Sequence, residues 1–317
     1  MKWQKLGQIF EFDKSPFKDI FISHSQSPQA VVFDDFVRIY FSTRKSDKNG
    51  KFISHIQFVD MSKDFETILK TSEHEVIPMG DLGCFDEHGI FPINPIQVGE
   101  KIYAYTSGWT RRKAVSVDTG IGLAISEDNG FTFKKYGDGP ILTASLFEPF
   151  LVVDGFVKIF NDIFHMWYIY GTDWKVFEEG HEADRTYVIG HATSFDGINW
   201  TKEGRQIVES SQNTECQALP TVIKIKNRYH MYFCFRNSYD FRKNSKNAYR
   251  LGYAYSDDLI NWTRDDSKAG IDVSESGWDS EMMCYPNIFE IDNEIYLLYN
   301  GNEFGKYGFG VAKLEEV

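Results

Sequence analysis

A short motif, Gly-x-Ala-x-Ser, returns along the chain at nearly constant intervals. It occupies residues 122–126, 190–194 and 252–256, and a shortened copy, Gly-Val-Ala, stands at residues 310–312. The first glycines of consecutive copies are 68, 62 and 58 residues apart. Self-similarity at such a period is typical of repeat architectures, in which each copy is one supersecondary unit. The chain is therefore expected to consist of units of about 60 residues.

The repeat carries the signature of β-hairpins. Turn dipeptides follow the motif at residues 129–130 (Asn-Gly), 196–197 (Asp-Gly) and 257–258 (Asp-Asp). Asn-Gly and Asp-Gly supply the positive φ angles that tight hairpin turns need. A second pattern, made of an apolar strand, a polar turn and an aromatic-rich strand, occurs five times. Its copies cover residues 30–42, 95–106, 155–170, 221–235 and 287–299.

These patterns predict an all-β fold. Five hairpins over 317 residues leave about 63 residues for each unit, which suits a four-stranded sheet with one longer loop. We therefore expect a single domain, residues 1–317, folded as a five-bladed β-propeller with four-stranded antiparallel blades. The segment 3–13 has no hairpin of its own, and we expect it to form the outer strand of the last blade, beside residues 310–314.

Composition narrows the range of partners and settings. The net charge of −12 disfavours nucleic acid and anionic membranes as partners, and an anionic substrate would need local Arg or Lys. The four cysteines show no CxxC spacing and are expected to be buried, reduced thiols. The first residues lack the apolar stretch of a signal peptide, and no run of about 18 apolar residues occurs. These features favour a cytoplasmic protein with no membrane partner.

An acidic residue recurs shortly before the first strand of four of the five units. The recurring residues are Glu87, Glu148, Glu215 and Glu281, spaced 61, 67 and 66 residues apart. Asp86 is an alternative to Glu87, and Asp279 to Glu281, because either Asp could be the residue that faces the axis or could merely cap a turn. The first unit differs, since its residues 23–28 read Ser-His-Ser-Gln-Ser-Pro and contain no acid.

In a propeller these positions converge on one mouth of the central axis. The first strand of each blade begins there and the second strand ends there. The longest connections, residues 110–119, 173–186 and 237–248, leave from the same face. Binding sites are often built from such loops on a rigid scaffold. The residues expected to bind substrate are His24, Arg44, His88, Trp109, Arg111, Glu148, Asp154, Trp174, Arg236, Tyr285 and Asn300.

Carboxylates, arginines and tryptophans at one mouth match the needs of glycoside chemistry. One carboxylic acid protonates the leaving oxygen, and a carboxylate activates water or attacks the sugar. Crowding of like charges raises the pKa of one member of such a pair. We expect Glu215 to be the general acid and Glu87 or Asp86 its partner, with Glu281 or Glu148 tuning the pKa or binding hydroxyls. The alternative is that these acids are solvated residues at the loop entries or pair with nearby Arg.

The expected partner is a small carbohydrate or a sugar phosphate. Arg44, Arg111 and Arg236 are candidates for holding a phosphate group, which makes phosphorolysis or a nucleotide-sugar substrate a reasonable hypothesis. No cofactor or metal site is expected. Carboxylates and carbonyls along the axis would nevertheless suit a structural channel cation such as calcium.

At these residues the chain resembles the five-bladed propeller glycosidases of glycoside hydrolase families 43, 32 and 130. Residues 214–216 (Thr-Glu-Cys) resemble the Glu-Cys motif that carries the acid/base in family 32. Glu215 with Pro220 and residues 229–232 is similar to the general-acid strand of family 43. Residues 85–92 and 278–286 look like blade openings of family 130. The resemblance implies a carbohydrate-active enzyme with carboxylate acid/base catalysis.

One departure from these families bears on the chemistry. Families 43 and 32 place an aspartate at the start of the first blade, where residues 26–28 here read Gln-Ser-Pro. The missing acid would be natural if phosphate replaced activated water. The expected function is cleavage or transfer of a glycosidic or sugar-phosphate bond, in a setting such as surface-polysaccharide metabolism. A non-catalytic propeller that binds carbohydrate or nucleotide sugar, and a protein-interaction propeller, are the alternatives.

Overall fold

The architecture is seen in a computed structural model that describes residues 1–316. Nearly all regular structure is β, as the hairpin patterns predict. The strands are β1 (Lys2–Glu11), β2 (Ser23–Val32), β3 (Val37–Ser46), β4 (Phe52–Met61), β5 (Ile68–Thr71), β6 (Ile90–Val98), β7 (Lys101–Arg111), β8 (Val117–Ser126), β9 (Lys134–Lys135), β10 (Val152–Phe160), β11 (Ile163–Lys175), β12 (Asp184–Ser194), β13 (Thr201–Lys202), β14 (Glu215–Ile225), β15 (Arg228–Asn237), β16 (Arg250–Ser256), β17 (Thr263–Arg264), β18 (Cys284–Ile291), β19 (Glu294–Asn300) and β20 (Gly308–Glu316). Short helical turns occupy Phe12–Lys14, Pro16–Asp19, Asp266–Lys268 and Asn302–Gly305.

The strands form four-stranded antiparallel units in chain order. Units one and two are the sheets β2–β5 and β6–β9. Units three and four, β10–β13 and β14–β17, share one larger sheet because a single parallel pairing joins Tyr187 to Cys216. Unit five is the sheet β18–β19–β20–β1. The expected pairing of the N-terminal strand beside the C-terminal strand is confirmed by the antiparallel register from Lys2↔Glu316 to Glu11↔Gly308.

The first strands of the units contact one another in sequence order. β2 contacts β6, β6 contacts β10, β10 contacts β14, β14 contacts β18, and β18 contacts β2. Side chains link these strands directly: the Asn94 amide oxygen accepts from the Val157 N–H at 2.7 Å, and the Asn287 amide oxygen accepts from the Ala30 N–H at 2.9 Å. Such side-chain-to-backbone bonds fix the relative position of neighbouring first strands.

The repeated motif is explained by close packing and by its turn. A Cβ on Gly252 would lie 2.4 Å from the Phe233 ring, and one on Gly310 would lie 2.5 Å from the Trp278 ring, so an aromatic side chain covers each glycine. The serine of the motif closes the turn that follows. In the first copy the Ser126 hydroxyl donates to the Asp128 carboxylate at 2.7 Å. Within residues 1–316, no helix is long and apolar enough to cross a membrane.

Candidate functional site

A cavity of about 390 Å³ lies where the first strands begin and the second strands end. Each of the five first strands contributes at least one wall residue that lies at or beside an irregularity in its pairing register. These residues are Gln26, Phe91, Asp154, Ala218 and Tyr285. Such bulges commonly re-aim a side chain next to a site. The structure thus brings five of the predicted binding residues to one cavity: Arg44, Trp109, Asp154, Arg236 and Tyr285.

Asp154 is the carboxyl group of this cavity. It has a positive φ of 58° at the bulge of β10 and is only 6% exposed. Its backbone N–H donates to the Ser107 hydroxyl at 3.0 Å, and its carboxylate accepts from the Leu219 N–H at 3.3 Å. Burial raises the pKa of Asp154 to about 7, against the opposing effects of the Leu219 N–H and of Arg185. Asp154 is therefore able to hold a proton near neutral pH.

Four arginines face the same cavity: Arg44 on β3, Arg185 on β12, Arg236 on β15 and Arg242 in the following loop. Their positions come from three different units, so the fold rather than a local sequence run gathers them. Among residues 1–316 the arginine–carboxylate ion pairs involve other side chains, namely Arg38, Arg111, Arg112, Arg205, Arg228, Arg250 and Arg264. The cavity is consequently positive inside a chain whose net charge is −12.

Arg236 is the most enclosed of the four, with 5% of its surface exposed. It donates to the Tyr187 hydroxyl at 3.0 Å and to the Asn237 carbonyl at 2.8 Å, and the Phe241 ring lies 3.5 Å from its guanidinium carbon. The Tyr187 hydroxyl is in turn 2.8 Å from the Tyr249 hydroxyl. These linked polar groups orient the guanidinium along one wall.

Most of the acids that recur in the sequence occupy a different place. The carboxylates of Asp86, Glu148, Glu215 and Asp279 are each at most 2% exposed and form ion pairs with the fourth strand of their own unit. The pairs are Asp86 with Lys135 at 2.5 Å, Glu148 with Lys202, Glu215 with Arg264 at 2.6 Å, and Asp279 with Lys5 at 2.7 Å. The regular spacing thus reflects a structural pair that anchors the segment before each first strand.

Glu215 and Glu148, which were expected to take part in catalysis, form further hydrogen bonds in these buried positions. Glu215 also accepts hydrogen bonds from the Ser211 N–H at 3.0 Å and from the Gln217 amide at 2.9 Å, which leaves it engaged on all sides. Glu148 accepts from the Tyr168 hydroxyl at 2.7 Å. Within the part of the sequence that the structure describes, neither these two nor Asp86 belongs to the cavity walls. The carboxyl that reaches the cavity is Asp154 instead.

Within residues 1–316, the remaining predicted residues are not part of the cavity walls. Glu87 accepts from the Gly83 N–H at 2.8 Å, and Glu281 is exposed. The His88 ring lies 5.6 Å from the ring of Trp109, and Arg111 pairs with Asp47 at 2.8 Å beside them. Desolvation, followed by the charge of Arg111, lowers the pKa of His88.

Asn300 holds the first residues of β2, where His24 also lies, and Trp174 stands beside the cavity residue Arg185. The Asn300 amide donates to the Ser25 carbonyl at 2.8 Å and accepts from the Ser27 N–H at 2.7 Å. Burial and then Arg44 lower the pKa of His24 to about 3, so its ring is neutral. The Trp174 ring is 5.8 Å from the Arg185 guanidinium. In the described residues, no group of three or more His, Cys, Asp or Glu side chains is placed to hold a metal ion.

Sequence reasoning did not single out Arg185, Arg242, Tyr187 or Tyr249. Their signal was present but indirect, because Arg185 and Arg242 stand in the connections at 173–186 and 237–248 that were expected to cover the mouth. The sequence did not show where the first strands bulge, and the bulges decide which side chains face the cavity. The residue that faces the cavity lies in the bulge of three first strands (Phe91, Asp154 and Tyr285) and beside an irregularity in the other two (Gln26 and Ala218). In units two to five it stands several positions after the acid that aligns in the sequence.

No protein-family model matches the chain. Two curated proteins of Mycobacterium tuberculosis, uncharacterized protein MT1551 of strain CDC 1551 / Oshkosh and uncharacterized protein Rv1502 of strain ATCC 25618 / H37Rv, are each 31% identical over 320 residues. Each alignment covers 99% of this chain and 100% of the relative. The relatives therefore match the chain from end to end.

Solved structures of glycoside hydrolases share the fold. One glycoside hydrolase has a TM-score of 0.73 at 14% identity, covering 99% of this chain and 93% of its own. The Xanthomonas citri GH43_1 enzyme complexed with xylose has a TM-score of 0.62 at 14% identity, covering 99% and 91%. A mutant of the Bombyx mori GH32 β-fructofuranosidase in complex with sucrose has a TM-score of 0.64 at 13% identity, covering 93% and 62%. The resemblance to the family 43 and 32 propeller enzymes is confirmed at the level of the fold.

Proposed function

We propose that this protein, which belongs to the same family as the Mycobacterium tuberculosis proteins MT1551 and Rv1502, is a carbohydrate-active enzyme that cleaves or transfers a glycosidic or sugar-phosphate bond. We also propose that its five units close into one five-bladed ring spanning the whole chain. The cyclic contacts of the first strands, including β18 with β2, support the closed ring. The cavity then lies at one mouth of the central axis.

The observation that carries the proposal is Asp154. It is a carboxyl group whose pKa is raised to about 7, in a cavity of a fold shared with glycoside hydrolases. A group with this pKa is matched to general acid–base work near neutral pH. Asp154 would donate its proton to the leaving oxygen as the bond from that oxygen to the anomeric carbon breaks.

The nucleophile of the reaction is not a second cavity carboxylate in this proposal. Two-carboxylate hydrolysis needs a partner about 5 Å or 6.5–9.5 Å from the acid, and the walls described within residues 1–316 supply one carboxyl. Gln26 lines the cavity at the start of unit one. An acceptor that brings its own nucleophilic oxygen, such as phosphate, balances the reaction, because that oxygen bonds to the anomeric carbon while the Asp154 proton ends on the departing hydroxyl.

The experiment is a turnover screen with the isosteric variant Asp154→Asn. Nitrophenyl glycosides and sugar phosphates are offered with and without inorganic phosphate, and products are followed by chromatography. Loss of a general acid is expected to lower kcat by roughly 10²–10⁴-fold. The control Asp35→Asn removes an exposed carboxyl from the β2–β3 turn and should leave turnover unchanged. Turnover that survives in Asp154→Asn would refute the assigned role.

A non-catalytic binding propeller is the second candidate, favoured by the single cavity carboxyl. In that case the wild-type protein binds a carbohydrate ligand, shows no turnover across the screen, and changes only in affinity when Asp154 is replaced.

The proposed setting, cytoplasmic surface-polysaccharide metabolism, would supply activated and phosphorylated sugars. Its test is whether such sugars, rather than neutral polymers, are the compounds turned over or bound.

A further inference from the structure

Within residues 1–316, the arginines of the cavity lack the carboxylate partners that other enclosed arginines have. Arg38 is fully buried and forms two hydrogen bonds with the Asp60 carboxylate, at 2.6 and 2.7 Å. Arg264 pairs with both Glu215 and Asp266. A buried charge is costly unless it is paired, so these two arginines show the ordinary arrangement. Arg236 departs from it.

Arg236 is as enclosed as a core residue and yet has no carboxylate partner among residues 1–316. Its Nε atom is buried and, in the described residues, also lacks a hydrogen-bond acceptor. Its neighbours along the wall are the Tyr187 hydroxyl and the face of Phe241. A guanidinium held in this way offers unused donors to an anion that enters the cavity.

The neighbouring guanidiniums strengthen this conclusion. Desolvation, followed by the charges of Arg236 and Arg185, lowers the pKa of Arg242. Desolvation and the charge of Arg242 likewise lower the pKa of Arg44, against an opposing effect of Tyr285. The part of these shifts that comes from neighbouring guanidiniums, which acts on Arg242 and Arg44, is relieved when an anion binds between the groups.

The charge count and the walls indicate the chemistry of the ligand. Four guanidiniums against one carboxyl exceed what a single carboxylate of a sugar acid would neutralise, whereas a phosphoryl group brings up to two negative charges and several acceptor oxygens. The cavity of about 390 Å³ is within the range of small-molecule sites. Trp109, Phe91 and Tyr285 supply aromatic surface for the rest of the molecule.

We propose that Arg236 and Arg242, with Arg44 and Arg185, form a phosphoryl-binding subsite, and that the ligand is a phosphorylated sugar or a sugar together with free phosphate. This inference rests on the proposed function for the sugar part and on the four arginines for the phosphoryl part. The two sources of the phosphoryl group share one chemistry, and binding measurements separate them.

The test is isothermal titration calorimetry on the full chain. The probes are inorganic phosphate, pyrophosphate, a set of hexose 1-phosphates and the corresponding free hexoses. The variants are Arg236→Gln and Arg242→Gln, and the matched control is Arg228→Gln, an arginine at the opposite end of β15 that pairs with Asp257. Because Arg242 is exposed at the cavity rim, Arg242→Gln reports on binding even if replacement of buried Arg236 weakens folding.

The calorimetry results separate the two sources of the phosphoryl group and can overturn the inference. We expect phosphate-containing probes to bind roughly 10- to 100-fold more weakly to the two cavity variants, with the control unchanged. Binding of inorganic phosphate alone assigns the subsite to free phosphate, and binding of hexose phosphates only assigns it to the substrate. Equal binding of every phosphate probe to wild type and Arg242→Gln, or no binding of any, overturns the inference. Arginine-dependent binding without turnover would refute the enzyme proposal and leave this subsite standing.

Discussion

At the scale of single residues, the position of one carboxyl relative to a bulge decides its chemistry. Asp154 is aimed at the cavity and is nearly buried, whereas Glu215 is enclosed by Arg264, Ser211 and Gln217. Both lie near the start of a first strand, and their sequence contexts look equally suited to acid catalysis. What separates them is the local backbone, since only Asp154 is itself the bulged residue.

The raised pKa of Asp154 predicts a pH dependence of activity. A general acid works in its protonated form, so kcat should fall as the pH rises through about 7. The measurement is the pH–rate profile of the best substrate from the screen. A profile whose alkaline limb is unchanged in Asp154→Asn would exclude Asp154 as the titrating group.

The same pKa predicts a pH dependence of stability. Because the folded-state pKa lies above the unfolded value of 3.8, the folded protein binds more protons between these values, and stability is lost as the pH rises toward about 7. Asp154→Asn should therefore gain on the order of 2–4 kcal/mol relative to wild type at pH 8 and nothing at pH 4. Urea unfolding at both pH values measures this, with Asp35→Asn as the control. An equal effect at both pH values would contradict the assigned shift.

At the scale of the element, the four-stranded unit is held by an acid–base pair between its leading segment and its last strand. The basic partners Lys135, Lys202 and Arg264 stand in β9, β13 and β17, at the same place in three units. These basic residues recur in the sequence at intervals close to those of the acids. The sequence could not show that they reach the acids, because the pairing depends on how the fourth strand folds back over its unit.

Breaking one pair should destabilise the fold without weakening anion binding. Glu215→Gln leaves Arg264 enclosed with Asp266 as its remaining carboxylate, and we expect a loss of about 2–4 kcal/mol in the free energy of unfolding. Glu281→Gln, an exposed acid of the same recurring set, should stay within about 0.5 kcal/mol. Chemical denaturation measures both. A Glu215→Gln variant of unchanged stability would refute the anchoring role.

The glycines of the repeat make a second prediction at this scale. A methyl group at Gly252 would overlap the Phe233 ring at 2.4 Å, so Gly252→Ala should lower stability by about 1–3 kcal/mol. Gly137→Ala, at a position where a Cβ meets nothing within 4 Å, is the matched control and should not destabilise. Thermal unfolding of the two variants compares them. Equal midpoints would show that close packing is not the reason for the glycine.

At the scale of the whole molecule, the sequence predicted the repeat, the four-stranded units and the pairing of the first and last strands. Hairpin periodicity carries this information because turns and alternating strands are local features. The set of residues that line the cavity was harder to predict from the sequence. Arg44, Arg185 and Arg236 are brought together from three units, and no local pattern states that their side chains converge.

Pairing of β1 in the last unit allows a test of the proposed closed ring. Lys5 on this strand pairs with buried Asp279, whereas Lys2 pairs with Glu315 at the surface. Lys5→Met should lower the free energy of unfolding by about 1–3 kcal/mol because it leaves a buried carboxylate unpaired. Lys2→Met should have no measurable effect. If both variants unfold like wild type, the N-terminal strand does not contribute to the stability of the ring.

The central claim is that the arginine-lined cavity around Asp154, and not the recurring ion-paired acids, carries the function. The most direct measurement is turnover per folded molecule of Asp154→Asn and Glu215→Gln on the same substrate, with phosphate present. We predict that Asp154→Asn loses at least about 100-fold in kcat while Glu215→Gln, once corrected for its folded fraction, stays within a few-fold of wild type. The reverse result, with Glu215→Gln inactive and Asp154→Asn active, would contradict the account.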